Sequence, residues 1–288
     1  MIRPAQNGLN VKTDFSGTTM TLLRSEGVWT ALWRYRRFIV GSVIREFRSR
    51  HSRSLLGGLW LLLAPFAMIL IYTVVFSKIM QTRLPGTSHV YSYSIYLCAG
   101  LLPWQWFSEL LSRNTTLFID NAGLIKKNSF PRMTLPLICF LASGLNFMLT
   151  AIVFLAFLAV SGALPGGSMI WVLPLLLLQG AFAGSLGFCL GVLNVFFRDV
   201  GQAVGIILQF WFWLTPIIYP LEVLPERVQG YLAWNPVAPL IRAYQKIFVW
   251  HEAPQWTSLW PLLALTILTT LLAIRLYRSA RNQLTDEL

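Results

Sequence analysis

The side chains that could perform chemistry are few in this sequence and lie far apart. Its three cysteines, Cys98, Cys139 and Cys189, sit in separate apolar runs, where a small, weakly polar side chain packs comfortably. The three histidines match no metal-ligand spacing. We therefore expect no disulfide framework, no metal site and no cofactor bound by this chain.

Carboxylates and nucleotide-binding motifs are equally scarce. Glu109 is the only carboxylate clearly within an apolar run, and no series of Asp, Glu or His suggests a proton relay. No GxxxxGK[ST] phosphate loop occurs, so ATP chemistry would need another chain. A membrane-embedded enzyme that processes lipids or glycans is an alternative, but it would need clustered acids or metal ligands. Glu222, Glu226 and Glu252 are dispersed, so we predict that the chain is not an enzyme.

The composition places the chain in a membrane. Of its 288 residues, 56% are apolar and only 12% are charged. Runs long enough to cross a hydrocarbon core recur, and helices are the expected spanning element because lipid cannot satisfy open backbone groups. We predict an all-α polytopic fold whose transmembrane domain occupies residues 54–288. The six predicted spans are about 57–76, 95–111, 135–161, 169–197, 200–219 and 256–277.

The distribution of positive charge predicts the orientation. With both termini placed in the cytoplasm, 18 of the 23 Lys and Arg residues fall on the inner side and 5 on the outer side. The net charge of +12 is therefore explained by a membrane surface, and nucleic acid is not an expected partner. We predict a multi-pass membrane protein with both termini in the cytoplasm.

The N-terminal region divides into a polar extension, 1–25, and a basic amphipathic segment, 26–53. In the second part, apolar residues recur at helical spacing while arginines occupy the other faces, which is typical of a helix lying on a membrane. A guanidinium group can bind phosphate through two parallel hydrogen bonds. The candidate phosphate ligands are Arg34, Arg37, Arg45 and Arg48. An interfacial anchor held by anionic headgroups is an equal alternative.

Residues 220–255 are too apolar for a solvated loop and too interrupted by proline to span the membrane. We predict a re-entrant helix pair, formed by 226–234 and 239–250, that closes the outer mouth of a channel. A lid that caps the protein from outside is the alternative. The candidate gate residues are Leu221, Trp234, Pro236, Pro239, Tyr244 and Trp250.

Aromatic residues cluster in the second and fifth predicted spans. Their flat faces could stack on sugar rings, although aromatic residues are also enriched at membrane interfaces. The candidate sugar-channel residues are Trp104, Trp106, Phe107, Phe210, Trp211, Trp213 and Tyr219. In the fourth span, Gly180, Gly184, Gly187 and Gly191 share one helical face and predict a close helix–helix contact.

Four stretches of this sequence carry a resemblance to a known family. The segment NAGLIKKNSFPRMTLPL, at 121–137, resembles the cytoplasmic loop between the second and third spans of ABC-2 polysaccharide exporters. GLLPWQWFSE at 100–109, VFFRDVGQ at 195–202 with LTPIIYP at 214–220, and WNPVAPLIRAY at 234–244 resemble the same family in the same order. The similarity extends over about 30–280 and leaves out residues 1–25.

The resemblance implies a homodimer of membrane subunits in a bacterial inner membrane. The homodimer would bind two copies of a separate ATPase, which carries ATP and Mg²⁺. The substrate would be a lipid-linked polysaccharide, on undecaprenyl diphosphate, and O-antigen is the first candidate. Capsular polysaccharide and teichoic acid are the alternatives, followed by a small molecule. The residues expected to couple the spans to the ATPase are Asn121, Lys126, Lys127, Phe130, Pro131 and Arg132.

Overall fold

The computed structural model describes residues 35–51, 59–79, 84, 90–126 and 134–280. This part of the chain is helical and contains no strand, as the sequence predicts. Its ten α-helices are α1 (Arg36–His51), α2 (Trp60–Tyr72), α3 (Ser92–Asp120), α4 (Ala122–Lys126), α5 (Thr134–Ser161), α6 (Val172–Phe196), α7 (Asp199–Trp213), α8 (Glu226–Leu232), α9 (Ala238–Gln245) and α10 (Trp260–Ala280).

Several of these helices are extended by turns of other types. Wider π-helical turns continue α2 through Thr73–Ile79 and α9 through Lys246–Trp250. Tighter 3₁₀ turns precede α6 at Gly166–Trp171 and α10 at Trp256–Leu259. Among the described residues, three helices are long and apolar enough to cross a membrane: Thr134–Ser161, Gly166–Phe196 and Trp256–Ala280.

The centre of the molecule is the contact between α3 and α6, which share the most extensive interface in the fold. The predicted glycine face forms it in part. A Cβ atom on Gly187 would lie 2.7 Å from the Asn114 Cβ atom, and one on Gly191 would lie 2.4 Å from the Asn114 carbonyl oxygen. Gly184 faces open space instead. Small residues at the contact thus allow the two backbones to approach closely.

The other helices pack around this pair. On one side, α10 packs against α6, where the Ser185 and Thr269 hydroxyl oxygens lie 2.7 Å apart. On another, α5 packs against α3 and supports both α1 and α2. The contact of α1 with α5 is a small apolar cluster of Ile39, Val43 and Ile138. This contact holds α1 by its apolar side.

Two helices depart from the predicted spans. The second span was predicted to end at 111, but α3 continues to Asp120, because its far half keeps an apolar face while its other face becomes polar. The fifth was predicted to reach 219, but α7 ends at Trp213. Residues 214–220 are irregular, since Pro216 lacks an N–H group and disfavours helical backbone at Thr215.

Candidate functional site

The aromatic residues predicted on the second span lie inside the protomer. Trp104, Trp106 and Phe107 are buried on the side of α3 that faces its neighbours. The Phe107 ring centroid lies 5.4 Å from that of Trp104 and 5.4 Å from that of Trp211. Trp106 stacks on Phe147 of α5 with 5.1 Å between centroids. In this protomer, these rings contact one another and the core.

The aromatic residues predicted on the fifth span have mixed surroundings. Phe210 and Trp213 on α7 are 67% and 59% exposed, whereas Trp211 is half-buried. Tyr219 is half-buried, and its hydroxyl donates a hydrogen bond of 2.6 Å to the Trp213 carbonyl oxygen. The sugar-channel role stays a prediction, and Phe210 and Trp213 are the members most accessible from outside the protomer.

The arginines predicted to bind a diphosphate lie along one helix. Arg37, Arg45 and Arg48 are exposed on α1, and Arg34 lies outside the described residues. The Arg45 guanidinium donates to the Ser42 hydroxyl at 2.8 Å and lies 5.7 Å from the Phe38 ring centroid. Their spacing directs the three arginines to one side of α1. This side differs from the side that packs on α5.

The predicted ATPase contact begins directly where α3 ends. The Asn121 side chain donates to the Leu117 carbonyl oxygen at 2.8 Å, and the Asn121 carbonyl oxygen accepts from Leu124 N–H at 2.9 Å. These bonds join α3 to the short helix α4, in which Ile125 is buried and Lys126 is exposed. The other four candidates, Lys127, Phe130, Pro131 and Arg132, lie outside the described residues.

The predicted gate residues occupy different environments around α8 and α9. Trp234 is 89% exposed at the end of α8, and Tyr244 is 1% exposed within α9. The remaining four are half-buried: Leu221, Pro236, Pro239 and Trp250. Most of α9 is therefore buried in the core, whereas Trp234, at the start of the connection from α8, is exposed.

Side chains from two helices bind the irregular segment 214–220. Its carbonyl oxygens accept hydrogen bonds from the Tyr93 hydroxyl on α3, 2.7 Å from Ile218 O, and from the Tyr96 hydroxyl, 3.1 Å from Tyr219 O. The Gln245 amide on α9 lies 3.3 Å from the Pro216 carbonyl oxygen. Non-helical backbone at membrane depth is tolerated only where its polar groups find such partners.

Asn235 joins the end of α7 to the connection between α8 and α9. Its side-chain oxygen accepts from the Trp211 indole N–H at 2.9 Å and from Val237 N–H at 3.0 Å. Its amide nitrogen donates to the Leu214 carbonyl oxygen at 3.0 Å and lies 2.9 Å from the Thr215 hydroxyl oxygen. One side chain thus holds three chain segments together.

Charged residues within the helices form a small network. The Arg113 guanidinium on α3 pairs with the Glu46 carboxylate on α1 and lies 3.4 Å from the Glu109 carboxylate one helical turn away. All three side chains are partly buried. The network connects the basic helix α1 to the helix that leads into the predicted ATPase contact.

A match to a protein family covers most of these elements. Residues 39–249 match the ABC-2 type transporter family. The chain belongs to this family. The matched range contains nearly all of α1, the central pair α3 and α6, and the outer helices through α9. It ends before α10.

Several curated proteins are similar to this ABC-2 transporter subunit along most of its length. The O-antigen export system permease protein RfbA of Klebsiella pneumoniae is 33% identical over 206 residues, which are 71% of this chain and 77% of the relative. The protein of the same name from Myxococcus xanthus is 29% identical over 259 residues, which are 89% of this chain and 97% of the relative. The polysialic acid transport protein KpsM of Escherichia coli is 25% identical over 243 residues, which are 82% of this chain and 90% of the relative.

The chain is thus the transmembrane subunit of an ABC-2 type system and is related to permeases of O-antigen and capsule export. Sequence reasoning selected its aromatic and basic residues but missed the side chains that bind the irregular segment, namely Tyr93, Gln245 and Asn235. It also missed the pairing of Glu46 with Arg113. The sequence does contain one usable signal: polar residues recur at helical spacing through the second half of α3.

Proposed function

We propose that this ABC-2 subunit is the permease of an O-antigen export system in a bacterial inner membrane. The observation that carries the proposal is the similarity to the Myxococcus xanthus permease, which extends over 97% of that protein. It therefore includes the short outer helices as well as the long ones. The relatives named for polysialic acid transport and capsule polysaccharide export are 24–25% identical, below the 29–33% of the O-antigen permeases.

The working assembly in this proposal is a homodimer of six-span subunits with both termini in the cytoplasm. Two copies of a separate ATPase bind its cytoplasmic face and carry ATP and Mg²⁺, consistent with the lack of a phosphate-binding loop in this sequence. The segment 121–132 is the proposed contact with the ATPase. It follows α3 directly, so movement of the contact would be transmitted along that helix.

The substrate in this proposal is a polysaccharide linked to undecaprenyl diphosphate. Arg37, Arg45 and Arg48 lie exposed on α1, where they can bind the diphosphate near the inner surface. The outer region 220–255 is the proposed gate. Its attachment through Asn235 to the end of α7 supports this role, because closure at the outer mouth would then follow the position of a spanning helix.

Deletion of the gene in its native host tests the function. We expect the O-antigen ladder to disappear from lipopolysaccharide gels and the lipid-linked polymer to accumulate in the inner membrane. Expression of the intact chain should restore the ladder. Expression of the same chain together with an ATPase subunit whose phosphate-loop lysine has been replaced should not restore it. A deletion strain that keeps its O-antigen but loses its capsule would contradict the proposal and favour capsule export.

A further inference from the structure

The second half of α3 has two opposite faces. One face is buried against α5 and α6 and includes Leu110, Leu111, Asn114 and Phe118. The opposite face is polar for four turns and is exposed or only partly covered. Its polar residues are Gln105, Ser108, Glu109, Ser112, Arg113, Thr116 and Asp120. We refer to these seven residues as the polar face of α3.

The spacing of these residues makes them one continuous surface. From Gln105 to Asp120 the intervals are three, one, three, one, three and four residues, the pattern of a single helical side. At 1.5 Å per residue the surface is about 22 Å long, or roughly three quarters of a 30 Å hydrocarbon core. It ends where the chain enters the proposed ATPase contact at Asn121.

Lipid is an unsuitable neighbour for the part of this surface within the second predicted span, from Gln105 to Glu109, and the rest continues past the predicted inner end of that span. Polar and ionisable side chains within a membrane face the interior of a bundle or a water-filled cavity, because hydrocarbon leaves them unsatisfied. The neighbouring helices cover only parts of it: α1 reaches Arg113 through Glu46, and α2 reaches Gln105 through Met68, whose sulfur accepts from the amide at 3.4 Å. Gln105 remains exposed.

The chemistry of the polar face selects its occupant. Its one arginine pairs with two carboxylates, Glu46 and Glu109, and Asp120 adds a third, so the surface carries a net negative charge. The remaining groups are three hydroxyls and one amide. Such groups donate and accept hydrogen bonds, as do the hydroxyls of a sugar chain. Repeated weak contacts along a line suit a polymer that must slide.

We propose that the polar face of α3 lines the water-filled path of the exported glycan through the inner part of the membrane. The inference rests on the proposed function and adds the residues that contact the sugar chain there. It differs from the aromatic prediction, since Trp104, Trp106 and Phe107 on the same helix are buried within the protomer. Hydrogen bonds to Gln105, Ser112 and Thr116, rather than stacking on these rings, would guide the polymer.

Cysteine labelling tests the proposal in the complete transporter. Ser112→Cys changes one atom type on the polar face, and Thr270→Cys places the same group on the exposed side of α10. The parent chain is the negative control for labelling, because its three cysteines are buried. Each form is expressed with its ATPase, and inverted inner-membrane vesicles are treated with a charged, membrane-impermeant thiol reagent. Two hosts are compared, one making the lipid-linked polymer and one lacking the first sugar transfer to the lipid carrier.

We expect Ser112→Cys to be labelled in vesicles without polymer and to lose labelling when polymer is present and ATP hydrolysis is blocked. Thr270→Cys should remain unlabelled in both. Absence of labelling at Ser112→Cys would overturn the aqueous path, and labelling without protection would overturn the glycan as occupant. Efficient disulfide formation between the Ser112→Cys residues of two copies would assign the surface to a subunit interface and also overturn the proposal. Labelling without polymer does not depend on the substrate, so failure of the O-antigen assignment would be seen separately in the deletion strain.

Discussion

The α3–α6 contact and the irregular segment 214–220 solve the same problem of burying polar backbone in opposite ways. Between α3 and α6, each helix satisfies its own backbone, and glycines remove the side chains that would separate the two. In 214–220 the helix has ended, and side chains supplied by α3, α9 and Asn235 bind the released carbonyl groups. The first contact depends on the absence of side chains at its glycines. The second depends on particular polar side chains that bind the backbone.

Because of this difference, we expect the α3–α6 contact to be rigid and the segment 214–220 to be movable. A contact between close-packed helices resists relative movement, because any shift makes backbones collide. A segment held by individual hydrogen bonds can move when those bonds are exchanged, at about 1 kcal/mol net for each. We therefore expect α3 and α6 to move as one body and 214–220 to serve as the joint between α7 and the outer helices.

The largest effect is expected for Gly191→Val. The new Cβ atom would lie 2.4 Å from the Asn114 carbonyl oxygen, so the two backbones must separate, at a cost of about 3 kcal/mol. The apparent melting temperature of the purified complex in detergent should fall, along with its yield. Gly184→Ala is the control, because nothing lies within 4 Å of its added atom. Equal melting temperatures for the two variants would refute the rigid contact.

A smaller effect on stability is expected for Asn235→Ala. The change leaves the Trp211 indole N–H and the Leu214 carbonyl oxygen without their partner, at a cost of about 2 kcal/mol. Because Asn235 then no longer ties the α8–α9 connection to α7, we expect the reconstituted transporter also to leak small ions, which a potassium-flux assay in liposomes measures. Asn146→Ala on α5 is the control and should remain tight. A tight Asn235→Ala transporter would place the seal elsewhere.

The smallest effect is expected for Tyr93→Phe. It removes the 2.7 Å hydrogen bond to the Ile218 carbonyl oxygen and keeps the ring, so the loss should be about 1 kcal/mol. Comparison with Tyr231→Phe, whose side chain is 79% exposed on α8, isolates the bond in the same thermal assay. If both substitutions lower the melting temperature equally, the hydroxyl of Tyr93 does not hold the segment.

The elements that were predicted well have a strong local signal. Two long apolar runs, separated at 164–168 by proline and paired glycines, predicted helices close to the observed α5 and α6. The end of α3 was predicted too early, since an apolar window treats a half-polar helix as a loop. The buried face of this half contacts α6, for example where the Phe118 ring packs against Phe188. A contact between residues so far apart in sequence cannot be read from a local pattern.

The candidate site was predictable only as residue types. Tryptophan beside proline in GLLPWQWFSE marked the right helix, but which rings turn inward depends on α5 and α7, which approach from elsewhere in the chain. The partners of Tyr96 and Gln245 are backbone carbonyl groups more than twenty residues away. Every residue has such a group, so the residue type at the acceptor position gives no signal. Backbone acceptors of this kind cannot be inferred from side-chain types alone.

We expect the Glu46–Arg113 ion pair to make export depend on the composition of the bilayer. On an anionic membrane surface, the exposed arginines of α1 would be attracted to the headgroups by about 1 kcal/mol for each basic residue. Because Glu46 ties the same helix to α3, that attraction acts on the helix that leads to the proposed ATPase contact. A cell that changes its share of acidic phospholipid would thereby adjust export without altering either protein subunit.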